Sequence, residues 1–343
     1  MTSGLRVGLT FDLRETYLAE GYGLEETAEF DSPETIEALE GVLRRRGFAV
    51  ERIGHVRALA RRLVEGGSWD FVFNVAEGLR GVAREAQVPA LLEAYDIPCT
   101  FSDPLVLALT LDKAMTKRVV RDSGLATSPF VVLHEAREAR AVDLPYPVFA
   151  KPLAEGTGKG IGARSRCSSP EALEATALEL IERLSQPVLV EAYLPGREFT
   201  VGIVGTGSHA RSLGVMEVRF LARAEQDFYS FENKEHYEDR VAYTLAEDGE
   251  ARRAEALALA AWRVLGARDG GRIDLRSDAS GDPHFLEVNP LPGLHPVRSD
   301  LVILARLAGL DYDTLVGGIV DSFLVRHPAL AARARANRAA LPA

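Results

Sequence analysis

Residues 272–293 constrain this chain more than any other stretch, because two short runs of alternating apolar residues flank a segment of turn formers. That arrangement predicts a β-hairpin. Side chains alternate between the two faces of a strand, so Arg272 and Asp274 are expected on one face, and Glu287 and Asn289 likewise on the paired strand. The sequence therefore predicts a patch where a cation, two carboxylates and an amide converge.

Such a patch suits a magnesium site. Mg²⁺ is bound by one or two carboxylates together with phosphate oxygens of a substrate, and a guanidinium group suits developing negative charge. The alternative is a hairpin whose polar face is simply solvated. Residues 290–293, Pro-Leu-Pro-Gly, follow directly and predict a rigid turn that holds the strand end in place, which favours the metal site.

These residues also resemble a known signature. Arg-Ile-Asp at 272–274, followed by FLEVNPLPG at 285–293, is similar to the metal-binding signature of ATP-grasp ligases, and most of all to the D-alanine:D-alanine ligases. The resemblance implies that the protein binds ATP and two Mg²⁺ ions, with Mn²⁺ as an alternative. The implied metal ligands are Asp274, Glu287 and Asn289.

The same resemblance implies a three-domain α/β architecture, with ATP held between the last two domains. The expected domains are an N-terminal, Rossmann-like domain with a parallel sheet (1–103), a central domain (104–191), and a C-terminal domain with the metal site and a lid loop (192–343).

Composition restricts the class of function. The chain has 343 residues, 47% of them hydrophobic and 26% charged, which is typical of a globular protein of several domains. Its formal net charge of −10 disfavours nucleic-acid binding, which requires a basic surface. The two cysteines have no metal or redox spacing, and neither a signal peptide nor a membrane-length apolar run is present, so we expect a cytoplasmic protein.

Strands and helices alternate over the first hundred residues, which predicts a parallel sheet. The predicted strands are 5–10, 48–53, 71–75 and 97–101, and the predicted helices begin near 33, 56 and 86.

An acidic loop is expected at 15–29. In the resembled ligases the loop after the first strand carries a glutamate that helps hold the ammonium group of the first substrate. Glu15 and Glu29 are both candidates, and Glu15 is assigned to the catalytic set. Glu77 begins a segment that replaces the family's His-Gly segment, so Glu77 is expected to contact the first substrate.

Lys113 would be an ordinary surface lysine on its own, but Asp112-Lys113-x-x-x-Lys117 resembles the family segment whose first lysine meets the nucleotide phosphates. Lys151 leads into a glycine-rich loop that is not a Walker A loop, because no serine or threonine follows its lysine. The alternative is a glycine-rich hairpin tip. The predicted phosphate contacts of this loop are Gly156, Thr157, Gly158 and Gly160, and Thr157 is also expected to touch substrate.

Residues 191–200 resemble the ATP-grasp segment that joins the two nucleotide-holding domains. The resemblance implies that Glu191 and the backbone of Tyr193 and Leu194 face adenine, while Glu198 accepts hydrogen bonds from the ribose. Residues 225–243 have the composition of a lid loop. Lys234 in that loop matches the family lysine that reaches the terminal phosphate.

The turn after the metal motif is expected to bind the second substrate through Gly293, Arg298 and Ser299. In the family a serine there binds the carboxylate of the second amino acid. Arg298 stands at that position, and Ser299 follows it. The alternative for Arg298 is a solvated position at the start of a helix.

Together these segments imply a carboxylate–amine ligase that joins two amino acids through an acyl phosphate and releases ADP and phosphate, in peptidoglycan or dipeptide biosynthesis. Arg272 is expected to stabilise the tetrahedral oxyanion and to contact substrate. The expected partners are small amino acids, with neither nucleic acid nor membrane, and a homodimer is one expected assembly.

Two alternatives stay open. One is a ligase of the same chemistry for other amino acids, or for a hydroxy acid, in a secondary-metabolite pathway. The other is a regulatory protein that binds the nucleotide without catalysis. The presence of Arg272, Lys234 and the three metal ligands disfavours the regulator, because loss of catalytic groups would be expected there.

Overall fold

The computed structural model describes residues 4–221 and 241–339, with side chains as far as residue 336. The N-terminal unit is built on a three-stranded parallel sheet in the order β2-β1-β3, which confirms the predicted parallel sheet. Its strands are β1 (Arg6–Thr10), β2 (Ala49–Gly54) and β3 (Phe71–Asn74), and its helices are α1 (Arg14–Ala19), α2 (Pro33–Arg45), α3 (Val56–Val64) and α4 (Gln87–Glu93).

Helix α2 forms where the sequence predicts it. The Ser32 side chain accepts a hydrogen bond from the backbone N–H of Thr35, and Pro33 occupies the first helical position. Gly47, with φ at 86°, lets the chain turn away after the last helical residue. The buried stripe of this helix consists of Ile36, Leu39, Val42 and Leu43.

The predicted strand at 97–101 is wrong. Cys99 makes a single bridge to Val72, and no strand is assigned to the run. The reason is backbone conformation, because Asp96 and Phe101 both adopt left-handed φ values, 54° and 69°, and turn the chain at either end.

The predicted loop at 15–29 is also partly wrong, because α1 covers residues 14–19. This short helix is anchored through Tyr17. The Tyr17 ring packs 4.6 Å from the ring of Phe30, and its hydroxyl donates to Asp12 Oδ1 at 2.5 Å.

Two helices follow the N-terminal unit, α5 (Pro104–Leu111) and α6 (Lys113–Asp122). Val106 and Val120 are buried in the core that underlies the C-terminal sheet, where they join Trp262. Leu107, on the other face of α5, is buried in the N-terminal core. The domain boundaries at 103 and 191 stay predictions.

The central unit is a four-stranded antiparallel sheet in the order β4-β7-β5-β6, with one long helix against it. Its elements are β4 (Phe130–Leu133), β5 (Val148–Pro152), β6 (Arg166–Cys167), α7 (Pro170–Leu184) and β7 (Val188–Ala192). Leu173, Ala177 and Leu180 of α7 are buried against Val148 and Val190 of the sheet. The glycine-rich loop joins β5 to β6, so it is the connection of a hairpin.

The C-terminal unit is a five-stranded antiparallel sheet in the order β10-β9-β8-β11-β12. Its strands are β8 (Glu198–Val204), β9 (Arg211–Phe220), β10 (Val241–Leu245), β11 (Gly270–Ser277) and β12 (Pro283–Asn289), and its helices are α8 (Gly249–Leu265), α9 (Asp300–Leu307), α10 (Tyr312–Arg326) and α11 (Pro328–Ala339). The predicted hairpin at 272–293 is confirmed as β11 and β12.

Helix α10 ties the two ends of the chain together. Val316, Ile319 and Phe323 are fully buried in one apolar core with Leu39 of α2 and Phe71 of β3. The C-terminal unit therefore holds the N-terminal sheet in place beside β11 and β12. In the part of the chain that the structure describes, no helix is long and apolar enough to cross a bilayer.

Candidate active site

A cleft of about 860 Å³ lies between the central and C-terminal sheets, and we call it the inter-sheet cleft. Its polar wall comes from α6, β5, β7, β8, β11 and β12. Its apolar wall comes from both sheets and from the segments that follow β5 and β7. The polar wall includes Lys113, Lys151, Glu191, Glu198, Asp274, Arg276 and Glu287, and the apolar wall Phe149, Ile161, Leu194 and Leu286.

Glu191 is buried in this cleft between two lysines. Its Oε1 lies 2.5 Å from Lys117 Nζ, and its Oε2 lies 2.7 Å from Lys151 Nζ. Burial alone would raise the pKa of Glu191, but the two ammonium groups outweigh burial and lower that pKa below its ordinary value. Burial alone would lower the pKa of Lys151, but the facing carboxylate raises it. Glu191 is therefore an ionised counter-ion that holds cationic side chains inside the cleft.

Lys113 is also buried, so it is not a surface lysine. Its Nζ donates to the backbone oxygen of Glu155 at 2.5 Å and lies 3.4 Å from Glu287 Oε2. The lysine thus connects the glycine-rich loop to the strand of the predicted metal ligands. Lys159 lies 2.8 Å from the Glu155 carboxylate, so it forms an ion pair within the same loop.

The glycine-rich loop is fixed from outside by the N-terminal unit. The backbone N–H of Gly156 donates to Glu29 Oε1 at 2.8 Å, and a Cβ at Gly156 would lie 2.3 Å from that oxygen. Gly158 lines the inter-sheet cleft, whereas Gly160 faces Pro152, whose Cγ would lie 2.6 Å from an added Cβ. Gly160 therefore serves close packing and is not part of the cleft wall.

The segment between β7 and β8 closes one end of the cleft. Glu198 Oε2 accepts a hydrogen bond from Arg276 at 3.1 Å, and the same guanidinium donates to the Tyr193 hydroxyl at 3.2 Å. The backbone N–H of Tyr193 donates to the oxygen of Pro147, while Leu194 contributes a buried apolar side chain. Carboxylate, phenol and guanidinium thus form one network at this end.

The predicted polar patch forms on β11 and β12. In the strand register Asp274 lies opposite Glu287, and Arg272 lies opposite Asn289, as the alternation predicts. Asp274 Oδ1 accepts from Thr200 Oγ1 at 2.8 Å, and Asp274 Oδ2 lies 2.5 Å from Arg272 and 3.3 Å from the Asn289 amide. These contacts fix the orientation of the Asp274 carboxylate.

A β-bulge in β12 adds a cleft residue that plain alternation does not predict. Asp274 pairs with Glu287 and Leu275 with Phe285, so Leu286 is the extra residue. Leu286 and Glu287 both line the inter-sheet cleft as a result.

The patch fits a hard divalent cation. Within the described residues no group of three or more Asp, Glu, His or Cys side chains could hold a metal. The predicted set instead offers two carboxylates and an amide oxygen, which leaves coordination positions for water and phosphate oxygens. Mg²⁺ prefers that kind of incomplete protein site.

Two further cavities extend from the patch towards the N-terminal unit. The middle cavity shares Lys113, Glu155 and Glu287 with the inter-sheet cleft. Its other wall residues include Glu29, Glu77, Glu85, Gly156, Thr157, Arg272, Asn289 and Gly293.

The outer cavity shares Glu29, Thr157, Arg272 and Gly293 with the middle cavity. Its remaining wall includes Arg14, Asp31, His295, Arg298, Ser299 and Asp300. The three cavities therefore form a series in which each one shares wall residues with the next. Glu287 of the predicted metal patch lies at the first junction, and Arg272 lies at the second.

The structure brings most predicted residues together along these cavities, with three exceptions. Glu15 is exposed on α1 and lines none of them, whereas Glu29, the other candidate, lines two. Gly160 lies behind the loop. Lys234 lies outside the described residues.

The residues that sequence reasoning missed include two that line the cleft, Arg276 and Leu286. They also include two that hold its carboxylates in place, Lys117 and Thr200. Lys117 follows Lys113 by four positions on α6, so a shared helix face was a readable signal. Arg276 continues the alternation of Arg272 and Asp274 along β11 and could have been found in the same way. Phe285 and Val288 are both buried although three positions separate them, which is the signature of the bulge.

Comparison with known proteins agrees with this geometry. The family model described as D-ala D-ala ligase C-terminus matches residues 119–321. The chain is 32% identical over 289 residues to a D-alanine–D-alanine ligase of Xanthomonas axonopodis pv. citri, covering 82% of this chain and 86% of that protein. It is 35% identical over 263 residues to y4sG, an uncharacterized protein of Sinorhizobium fredii, covering 73% of each.

A solved structure has the same fold. The D-alanine–D-alanine ligase of Bacillus anthracis, in its crystal structure complexed with ATP, aligns with a TM-score of 0.67 at 21% identity, covering 95% of this chain and 99% of that chain. The residues that match the family model include most of the cleft wall, the predicted metal patch and the turn that follows. The chain therefore belongs to the D-alanine–D-alanine ligase family of ATP-grasp enzymes.

Proposed function

We propose that this protein joins two amino acids through an amide bond, using ATP to activate the carboxylate of the first as an acyl phosphate. The observation that carries this proposal is the position of the Asp274–Glu287 pair. It lies where a cleft with buried lysines meets a cavity lined by Arg272 and Gly293. A phosphoryl group in the cleft and a carboxylate in the cavity would meet at this junction.

The nucleotide would occupy the inter-sheet cleft. Lys113 and Lys151 supply the positive charge for its phosphates. The apolar wall at Leu194 and Leu286 suits a flat base beside Glu191 and the Tyr193–Leu194 backbone, and Glu198 suits ribose hydroxyls. The relative from Bacillus anthracis was solved with ATP, which supports a nucleotide here.

Asp274, Glu287 and Asn289 would hold Mg²⁺, with two ions expected and Mn²⁺ as an alternative. When bound, the metal would offset the negative charge of the transferred phosphoryl group. Lys113 lies 3.4 Å from Glu287 Oε2 and would hold the carboxylate turned into the cleft.

The protein's own side chains would carry out the rest of the reaction. The carboxylate of the first substrate attacks the γ-phosphate, and the amine of the second displaces phosphate from the acyl phosphate. Arg272 lines both the middle and outer cavities, so its guanidinium is placed to stabilise the oxyanion of the tetrahedral intermediate. The Thr157 hydroxyl would contact both phosphate and substrate. Lys234 would act from the segment outside the described residues.

The second substrate would bind in the outer cavity. Arg298 is exposed there, and no hydrogen bond or ion pair of its guanidinium is found within the described residues. A carboxylate could accept two parallel hydrogen bonds from it. Ser299 begins α9, and its hydroxyl accepts from the backbone N–H of His295 at 2.9 Å.

The named relatives are D-alanine–D-alanine ligases, which supports D-alanine as the first substrate pair to test. A ligase for other amino acids, or for a hydroxy acid, is the second candidate. The observation that favours it is Glu77, because an acidic residue lines the middle cavity where an alanine side chain offers no charge.

The experiment is a matrix of amino-acid pairs incubated with ATP and Mg²⁺, with phosphate release measured and products identified by mass. The proposal expects release that requires both amino acids, with a product whose mass is their sum less one water. Phosphate release without an amide product would contradict it, and so would no release with any pair.

A further inference from the structure

The middle cavity has an acidic wall, and the proposed reaction uses only Glu287 of it. Glu29, Glu77 and Glu85 reach it from the N-terminal unit, and Glu155 and Glu287 reach it from the other side. Three of these five carboxylates already have cationic partners. The remaining two are Glu77 and Glu85.

The Glu29 carboxylate has cationic and N–H partners on both of its oxygens. Its Oε2 lies 3.1 Å from Arg84 and 3.8 Å from Lys159, and its Oε1 accepts from the Gly156 N–H. Burial alone would raise the pKa of Glu29, but Arg84 and Lys159 outweigh burial and lower it. Glu29 is thus an ionised anchor for the glycine-rich loop. Glu155 is paired with Lys159 and Glu287 with Lys113 in the same way.

Glu77 and Glu85 lack such partners. Both are half-buried, and neither makes a hydrogen bond or an ion pair with any residue of the described ranges 4–221 and 241–336. Burial raises the pKa of Glu77 well above its ordinary value, and the neighbouring Glu85 carboxylate raises it further. Burial likewise raises the pKa of Glu85, to about 7. The charges of Arg84 and Lys113 offset this rise only in part. The two carboxyl groups are therefore an acidic pair on the cavity wall with no ion-pair partner within the described residues.

A second, independent observation marks this cavity as a place where a ligand binds. The Thr157 hydroxyl oxygen is buried and has no hydrogen-bond partner among the residues the structure describes. Thr157 lines the same cavity. Buried hydroxyl groups are rarely left unsatisfied in a folded protein, so a bound molecule is expected to complete this contact.

The charges of a simple amino acid do not match this wall. Its carboxylate must face the metal patch and Arg272 to react, which leaves one ammonium group for the acidic side of the cavity. One ammonium group can pair with only one of the two carboxyl groups. The other must then keep a proton or carry a buried charge without an ion-pair partner, which is costly. A second basic group on the same molecule would balance the pair.

We infer that the first substrate, whose carboxylate is activated, is an amino acid with a second basic group. Glu77 and Glu85 would bind this basic group and the α-ammonium group of the same molecule. This inference rests on the proposed ligase function and names the substrate class of its first site. A diamino acid meets the requirement. The chemistry of activation is unchanged, because the second amine takes no part in it.

The test compares matched substrates that differ by one amine. The pairs are alanine with 2,3-diaminopropionate, 2-aminobutyrate with 2,4-diaminobutyrate, and norvaline with ornithine, each as both enantiomers. Each is offered as the first substrate with ATP, Mg²⁺ and a saturating second amino acid, and kcat/KM is measured with product mass. For at least one pair, kcat/KM of the diamino member should exceed that of its neutral partner at least about tenfold, the effect of one charge-assisted contact.

Two variants assign the preference to the two carboxylates. In Glu77→Gln and in Glu85→Gln, the ratio of kcat/KM between the diamino and neutral members should fall at least about tenfold. Glu93→Gln removes an exposed carboxylate from α4 and should leave the ratio unchanged. Because Glu77 and Glu85 lack partners, their carboxamide variants should melt at the wild-type temperature or above it, so loss of folding would itself contradict the inference.

Different results would contradict the inferred substrate class and the proposed ligase function. If neutral amino acids are ligated as well as or better than their diamino partners, the inference is overturned and the ligase function stands. If the preference exists but both variants keep it, the assignment to Glu77 and Glu85 is wrong. If no pair in the series, including two alanines, supports phosphate release, the proposed function fails with it.

Discussion

Arg272 Nη1 lies 2.5 Å from Asp274 Oδ2. The guanidinium proposed to stabilise the oxyanion is thus held by a carboxylate proposed to bind the metal. The Asn289 amide lies 3.3 Å from that same oxygen. A cation held by Asp274 would share this carboxylate with Arg272, whose Nη1 also lies 3.4 Å from Asp300 Oδ2. Metal binding and substrate binding are therefore expected to be coupled through these two residues.

Glu287→Gln should lower Mg²⁺-dependent turnover at least about 100-fold while leaving the fold intact, because a carboxamide is a poor ligand for a hard cation. The measurement is phosphate release over a range of Mg²⁺ concentrations, with thermal unfolding as the check on folding. Glu93→Gln, on the exposed face of α4, is the matched control. Near-normal turnover of Glu287→Gln would remove this residue from the metal site.

Glu191→Gln should destabilise the protein by about 3 kcal/mol at pH 7, because it leaves two buried lysines without their counter-ion. The wild-type carboxyl has a pKa lowered by those lysines. A lowered folded-state pKa contributes stability that is present above the unfolded value, about 4.3, and is lost as pH falls through the folded value.

The difference in unfolding free energy between wild type and Glu191→Gln should therefore be large at pH 7 and shrink below about pH 4. Urea unfolding of both proteins across this range measures it. A difference that does not change with pH would mean that the carboxylate is not the charged partner of Lys117 and Lys151.

Arg298→Ala should raise the Michaelis constant for the amine-donating substrate about tenfold or more, while the constant for ATP stays within about twofold. The reason is its position, since Arg298 lines the outer cavity and not the inter-sheet cleft. Steady-state titration of each substrate in turn provides the comparison. Arg61→Ala, an exposed arginine on α3, controls for the loss of a surface charge, and an unchanged constant in Arg298→Ala would exclude Arg298 from the site.

Local pattern was enough to predict the polar patch on β11 and β12. Alternation along two strands placed Asp274 and Glu287 in one patch, since both strands are short and joined by a turn of few residues. The same alternation could not show the bulge at Leu286, which depends on how Phe285 and Val288 both pack into the core. Prediction from local pattern therefore held where one hairpin decides the geometry.

Contacts between distant segments were not predictable in this way. The Glu29–Gly156 hydrogen bond joins residues 127 positions apart, and its formation depends on how the N-terminal unit docks on the loop. Glu29 and Glu15 lie in similar acidic surroundings in the sequence, and only docking separates them. The ion pair between Lys117 and Glu191 was not predictable for the same reason, because α6 and β7 are distant in the sequence.

Transfer of oxygen from the substrate to phosphate reports directly on whether the amide forms through an acyl phosphate. The carboxylate of the first amino acid is labelled with ¹⁸O, and the released phosphate is analysed by mass after ligation with an effective second substrate. An acyl-phosphate route predicts one ¹⁸O atom in the phosphate for each amide bond formed, because the attacking carboxylate oxygen leaves with phosphorus. Amide formation with unlabelled phosphate would contradict the proposed mechanism.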